Sequence, residues 1–444
     1  MAATCAPLAG TASEGRPKLG SQSRRRRSWL AVTVGLATIF ATVAVTAATA
    51  PPSSAATPGI ITTVAGGDAP GPVPATDVAM GASGEIAAGG GNVYVPDDQF
   101  HVIRAIATSG GSETVVAGNG TEGSLGNGGP ATEAELKGPQ GVAVGGGDVA
   151  IADTSNDAVR ITDASTGDLL TVAGDGTAGY TGDGGPCTSA ELDGPYGVAL
   201  DSAGNIIIAD TGNDAIRVVA SSTGTYYGVA MTLGDIYTVA GGHGAGYSGD
   251  AGPATAATLD YPEDVFADSL GDIVIADTYN NAIRVVAGTT GTIYGISMTA
   301  GDIYTVAGGN GAGSSGNQGP ALAAQLSSPQ SVALDDAGDI IIADTGNNAI
   351  RLVAAGNGGG LTEGYIYTVA GVGRTAGFSG DGGAATSAEL SSPEGVAVDG
   401  SGNLVISDFG NERVRVIAAT TGTFYGISMN AGDIYTIAGN GNKG

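Results

Sequence analysis

Six times along the chain an Asp is followed seven residues later by an Arg: Asp97 and Arg104, Asp153 and Arg160, Asp210 and Arg217, Asp277 and Arg284, Asp344 and Arg351, Asp408 and Arg415. Two chemistries are open to such a set. It could be a ring of ligands around an ion, or a series of paired charges that tie pieces of chain together. The third copy reads as a β-hairpin: the apolar run Ile206-Ile207-Ile208-Ala209, the turn Asp210-Thr211-Gly212-Asn213, then a second apolar run carrying Arg217. Across that turn residues 210 and 215 face each other, as do 208 and 217, so Asp210 and Arg217 are diagonal neighbours on one face. The Asp can also accept turn N–H groups, and Asn213 tolerates a left-handed conformation. Six equivalent copies are more than one ligand needs. The pairs therefore read as structural, since a buried charge is costly to leave single.

Catalysis has few candidates. The sequence holds two histidines, His101 and His243, and two cysteines, Cys5 and Cys187. His243 aligns with Asn310 in a Gly-rich loop and reads as surface. Cys187 stands where other repeats have Ala131, Ala254, Ala321 and Ala385, so it reads as an apolar filler and not as a disulfide partner. The polar residues that break the repeat are Glu85, Asp98, His101 and Asp264. Assigned to loops on different faces, they assemble no acid–base or metal set. No catalytic residue and no metal ligand is expected. Calcium is the alternative: the loops holding Asp175, Asp183, Asp250 and Asp381 are rich in oxygen and glycine. None shows dense D-x-D-x-D-G spacing, however, and Asn127 and Asn317 replace the Asp in two units.

The elements that position these residues recur as a unit. The hairpin Asp residues are spaced 56, 57, 67, 67 and 64 apart. Upstream stands a Pro-x-x-Val signal, as in Pro139 to Val142, Pro195 to Val198, Pro262 to Val265, Pro329 to Val332 and Pro393 to Val396. Downstream comes a Thr-Val-Ala-Gly strand such as Thr238 to Gly241. Each unit thus holds four short strands, a to d. Radial repetition of such units is the β-propeller solution to exposed sheet edges. The fold class is all-β, a six-bladed propeller over residues 57–444, with seven blades as the alternative. The first unit is eroded, and Pro96 in its strand b marks a poorly paired position. A lone d-type strand, Ile61 to Gly66, precedes it. Either that strand or the one near Ile437 should close the ring.

In an a-b-c-d meander the b–c turns and d–a links lie on one face, and the a–b and c–d turns on the other. Units three, four and six lengthen the c–d connection. The inserts carry Tyr226, Tyr227 and Met231, then Tyr294 and Met298, then Phe424, Tyr425 and Met429. Aromatic residues and Met on projecting loops are anchor types for partner surfaces. These residues are the candidate binding site.

The run from Pro195 through Asp201, Gly204-Asn205, Asp210-Thr211-Gly212-Asn213 and Arg217 resembles the NHL repeat. The stretch Tyr180-Thr181-Gly182-Asp183-Gly184-Gly185-Pro186 and the Thr-Val-Ala-Gly strand are similar to the teneurin-type branch of that family. The resemblance spans residues 60 to 444 and implies a six-bladed interaction platform. Where the family has His after the turn Asn, this chain has Asp157, Asp214, Asn281, Asn348 and Glu412. RNA-binding members of the family present a basic face, which this acidic chain lacks. Enzymatic relatives such as the amidating lyase use His-bound metal.

Residues 1–56 are set apart by composition. Arg24 to Arg27 precede an uncharged run from Trp29 to Ala50, and Ser54-Ala55-Ala56 offers a cleavage site. This is the layout of a secretory signal peptide, with an uncleaved membrane anchor as the alternative. Arg26-Arg27-Ser28-Trp29-Leu30 resembles the twin-arginine export signal of bacteria. The whole chain carries 16 basic and 43 acidic residues. Without the six basic and one acidic residue of the leader, ten basic and 42 acidic remain, a net charge of −32. Such a surface repels phosphate backbones, so nucleic acid is excluded as a partner. The expectation is a secreted or envelope-associated, non-catalytic propeller that binds an extracellular protein or a glycan. It meets a membrane only through an uncleaved leader. The alternatives are a metal-dependent lactonase or lyase working at the central mouth, and a structural module of the cell envelope.

Overall fold

Short apolar runs between Gly-rich turns fold into six five-stranded antiparallel sheets in this computed structural model, which describes residues 73–81 and 84–442. The fourth blade shows the plan. A two-residue stub, Gly252–Pro253, leads through a 3-10 turn, Ala254–Ala256, to strand a at Pro262–Ala267. Strands b, c and d follow at Ile273–Asp277, Ala282–Val286 and Asp302–Gly308. Across the sheet the order is stub, d, c, b, a. Strand a borders the central axis and the stub caps the outer edge of d. Asp277 pairs with Ala282 and Ile275 with Arg284, the diagonal register expected from the hairpin.

Strand b is apolar throughout because neighbouring blades cover both of its faces. Accordingly Ile273, Val274, Ile275 and Ala276 are all buried. The core is divided into six clusters, one in each gap between blades. Ile207, Ile216, Val265 and Ile275 meet in the gap between the third and fourth blades. Cys187 fills the gap between the second and third, where its counterparts are alanines.

The ring has six blades, and each takes strands a to d from one continuous stretch of chain. Ile437 lies in strand d of the sixth blade, Asp433–Ala438. The ring closes just beyond it: Gly439 N–H donates to Ala75 O at 3.0 Å and Asn440 N–H to Val78 O at 3.1 Å. Ile86, Val93, Val405 and Val414 pack in the same seam. In the eroded first blade, strand a (Ala87–Gly89) pairs only with Asn92 to Tyr94, so Pro96 has no partner on that side. The leader and the strand expected at 61–66 lie outside the described residues. Among the described residues no helix is long and apolar enough to cross a membrane.

Candidate functional site

The recurrent Asp and Arg form ion pairs in all six blades, at 2.6 to 3.6 Å. In the fourth blade Asp277 Oδ1 accepts the Asp260 N–H at 2.9 Å and Oδ2 accepts Asn280 Nδ2 at 2.9 Å. Arg284 then ties down the d–a link, donating to Thr258 O, Ser248 O and Asp250 Oδ1 at 2.7 to 2.9 Å. The ring of Tyr247 covers its guanidinium at 5.3 Å. Arg217 with Asp183 and Tyr180, and Arg415 with Asp381 and Phe378, repeat the arrangement. The Asp residues considered for calcium at 183, 250 and 381 are thus engaged with guanidinium groups. Where Asn127 and Asn317 replace them, the aromatic is also lost, to Ser124 and Ser314. There Arg160 Nη2 and Arg351 Nη2 have no hydrogen-bond partner.

The c–d inserts of units three, four and six form two-stranded hairpins, Gly224–Met231, Gly291–Met298 and Gly422–Met429. Their candidate anchors do not project, and this corrects the expectation. Tyr227, Met231, Tyr294, Met298, Tyr425 and Met429 are only 2% to 8% exposed. Tyr226 and Phe424 are half-buried against the same clusters. The cause is local. Tyr227, Tyr294 and Tyr425 adopt left-handed backbone, with φ of 53°, 56° and 53°. That turns each ring back over an a–b turn. Tyr227 Oη donates to Asp201 Oδ2 at 2.8 Å, Tyr425 Oη to Asp399 Oδ2 at 2.9 Å, and Tyr294 Oη to Gly338 O of the next blade at 3.0 Å. What the hairpins expose is small: Thr225, Ala230, Thr292, Ser297, Thr423 and Ser428.

The units differ instead at the central mouth on the opposite face, where each strand a begins. The a strands enclose an apolar channel of about 220 Å³, lined by residues such as Val142, Val198, Val265, Val332 and Val396. Glu85 of the first blade and Asp264 of the fourth, opposite it in the ring, close this end by hydrogen bonding to each other. The expectation that they lie on different faces was wrong. Glu85 Oε2 also accepts the Val198 N–H at 2.9 Å, and Asp264 Oδ2 accepts that of Val332 at 2.7 Å. Glycines make the plug fit. A Cβ at Gly141 would lie 2.9 Å from Glu85 Oε2, and one at Gly197 would lie 3.0 Å from Asp264 Oδ1. Burial, and then the charge of Asp264, push the Glu85 carboxyl well above its ordinary range. Burial raises Asp264 to about 7, against the pull of its hydrogen bonds. Burial thus favours the protonated form of this carboxyl pair, most strongly at Glu85.

One residue earlier in each strand comes an outer ring: Gln140, Tyr196, Glu263, Gln330 and Glu394. Burial pushes Glu263 up to about 7, with Gln330 pulling it back and the Glu394 charge raising it further. Glu394 is likewise raised by burial to about 7, with the charges of Asp98 and Glu412 adding to the effect. The Tyr196 phenol is raised by burial and by Glu394, Glu263 and Asp98, so its hydroxyl stands among these carboxyls. Beside Glu263, Tyr261 stacks on Tyr279 with ring centroids 4.6 Å apart and planes 10° from parallel. Tyr279 is 58% exposed and occupies a turn position that is Gly212, Gly346 or Gly410 elsewhere. Aligning the units position by position would have revealed this set. Read only as strand signals, Pro195-Tyr196, Pro262-Glu263 and Pro393-Glu394 concealed it. Among the described residues no three His, Cys, Asp or Glu converge as a metal-ligand set.

Residues 259–286, 326–351 and 390–417 match the NHL repeat. The chain is a six-bladed propeller that carries NHL repeats. Human Teneurin-1 is 25% identical over 281 residues, which are 58% of this chain and 9% of that protein. Mouse Teneurin-1 is 25% identical over 261 residues, 54% of this chain and 8% of that protein. The chain therefore corresponds to less than a tenth of the length of these relatives. Among solved structures, a protein of unknown function from Bacteroides thetaiotaomicron shares the fold at 16% identity and a TM-score of 0.51, covering 77% of this chain and 70% of that one. An auxiliary nutrient binding protein from Bacteroides ovatus does so at 15% identity and a TM-score of 0.50, with the same coverage of 77% and 70%.

In this NHL-repeat propeller the residue after the turn Asn has a defined structural task. Asp157, Asp214, Asn281 and Asn348 all sit in left-handed backbone, which Asn and Asp adopt more readily than other side chains. Their side-chain oxygens accept the N–H of Gly194, Tyr261, Ser328 and Ser392 in the next blade, at 2.8 to 2.9 Å. His101 holds the equivalent place in the first blade, and its Nδ1 accepts the Gly138 N–H at 3.2 Å. It is a blade link. His243 Nε2 lies 2.7 Å from Thr255 O on an exposed loop.

Proposed function

We propose that this NHL-repeat propeller is a non-catalytic binding module that takes its partner at the mouth where the a strands begin. The reading is carried by one observation: Tyr196, Tyr261, Tyr279, Glu263 and Glu394 break the repeat together, at one place, beside a closed channel. Propellers are stabilised by what their units share, so a concentration of differences marks the surface under separate constraint. An exposed stacked tyrosine pair suits recognition, because aromatic rings give large contact area at small entropic cost. The partner is read as an extracellular or envelope protein or glycan, in keeping with the acidic charge and the signal-like leader.

Affinity capture from an envelope fraction tests this. A partner retained by the wild-type chain should be lost when Tyr261→Ala, Tyr279→Ala and Glu394→Gln are combined. It should be retained when the exposed c–d residues Thr292 and Ser297 are changed to Glu. Retention by the mouth variant and loss by the c–d variant would move the site back to the other face. A purely structural envelope module would give equal recovery from all three proteins.

A further inference from the structure

Resting on that reading, we infer that the mouth recognises an alkylammonium group, the end of a lysine-type side chain or a small organic amine. The chemistry present is lopsided. Glu263 is 5% exposed; Gln330 and Thr278 hydrogen-bond its carboxyl, but its Oε2 has no hydrogen-bond partner. Among the described residues no basic side chain forms an ion pair with Glu263 or Glu394, whereas the six turn Asp residues are each paired with an Arg. A buried carboxylate oxygen without a donor is a costly arrangement unless a ligand supplies one.

The neighbours of Glu263 define which donor fits. Glu394 and Asp264 place further negative charge beside it, so the missing group is a cation and not a neutral hydroxyl. Tyr261, stacked on Tyr279, is close enough to Glu263 to feel its charge, and the Tyr196 phenol lies among the carboxyls. Carboxylate next to aromatic faces is the environment that holds ammonium groups, through charge and through the ring quadrupole. Glu85 and Asp264 close the channel below, so a ligand stops at this level. An alkylammonium presents a compact charge on a slender apolar stem.

Both carboxyls of the pocket titrate near neutrality, and a bound cation favours their ionised forms. The titratable groups that bear on them are Glu394, Asp264, Tyr196 and Tyr261 around Glu263, and Asp98, Glu412 and Tyr196 around Glu394. Affinity should therefore rise between pH 6 and pH 8.

Isothermal titration of the full chain with n-butylammonium tests the inference, with n-butanol as the uncharged control. Butylammonium should bind and butanol should not. Glu263→Gln and Tyr279→Ala should each weaken binding by about fivefold or more. Tyr279 is exposed, so its variant keeps the test open if Glu263→Gln fails to fold. A pentapeptide, acetyl-Gly-Ser-Lys-Ser-Gly-amide, separates the sources: tighter binding than butylammonium indicates a protein partner, and weaker binding a free amine. Absence of butylammonium binding, binding equal to that of butanol, or binding unchanged in Tyr279→Ala would overturn the inference. If capture from the envelope still depended on the mouth in that case, the binding site would stand and its cationic ligand would not.

Discussion

Replacing Arg284 by Ala should lower the unfolding free energy by about 3–5 kcal/mol, the usual consequence of removing one partner of a buried pair. Arg284 and Asp277 are both fully buried, and the variant leaves Asp277 without its counter-charge. It also frees Thr258 O, Ser248 O and the half-exposed Asp250, which together pin the d–a link to the blade. Arg160→Ala should cost less. That guanidinium lacks both the second Asp and the aromatic cover, and its Nη2 already makes no hydrogen bond. Urea titrations of the two variants compare them directly. Equal losses would show that the Asp-and-aromatic cap contributes nothing beyond the turn pair. Replacing Arg284 and Asp277 together should restore part of the loss, because the desolvation of both charges is then relieved.

The second large effect belongs to the channel plug. Glu85→Ala should cost about 3–5 kcal/mol at neutral pH: the Val198 N–H loses its acceptor, Asp264 loses its donor, and the carboxyl leaves a hole. Glu85→Gln should instead be stabilising there: an amide can donate to Asp264 and accept from Val198 as the protonated acid does, without the cost of taking up a proton on folding. The two variants then separate with pH. Glu85 and Asp264 have folded values above the ordinary 4.5 and 3.8, so the folded chain binds protons more tightly than the unfolded one. Their contribution is fully present below those ordinary values and is lost as pH rises, for Asp264 through about 7. Asp210, at about 6, and Asp277, Glu263 and Glu394, at about 7, act in the same direction, all through burial. The difference between Glu85→Gln and wild type isolates the plug. Melting temperatures should coincide below about pH 4, and the Gln variant should melt progressively higher as pH rises to 9. A wild type that remains the more stable protein at pH 9 would mean that Glu85 is ionised already.

The architecture was legible because it is repetitive. Short apolar runs, the Asp-to-Arg register and the Pro-x-x-Val starts each recur, so an error at one copy is corrected by the others. Ring closure was half legible. Ile437 was one of two candidates, and the ring closes immediately after its strand. The c–d anchors were misread for a physical reason. Tyr and Met on an insert look like anchors, but left-handed backbone at Tyr227, Tyr294 and Tyr425 folds the rings inward, and no propensity announces a tyrosine with positive φ. The mouth escaped for the opposite reason. Tyr196, Glu263 and Glu394 sit beside the Pro that marked each strand, and the mark was read while its variable neighbour was not. Glu85 and Asp264 are far apart in sequence and meet only because opposite blades converge on one axis.

The central claim is that recognition occurs at the mouth, where the units differ, and not on the hairpin face, where they agree. Site-specific photo-crosslinking in intact cells tests it most directly. A benzophenone amino acid would replace Tyr279 at the mouth or, separately, Ser297 at the exposed tip of a c–d hairpin. The account predicts a discrete crosslinked adduct from position 279 and none from position 297. An adduct from 297 with none from 279 would contradict it.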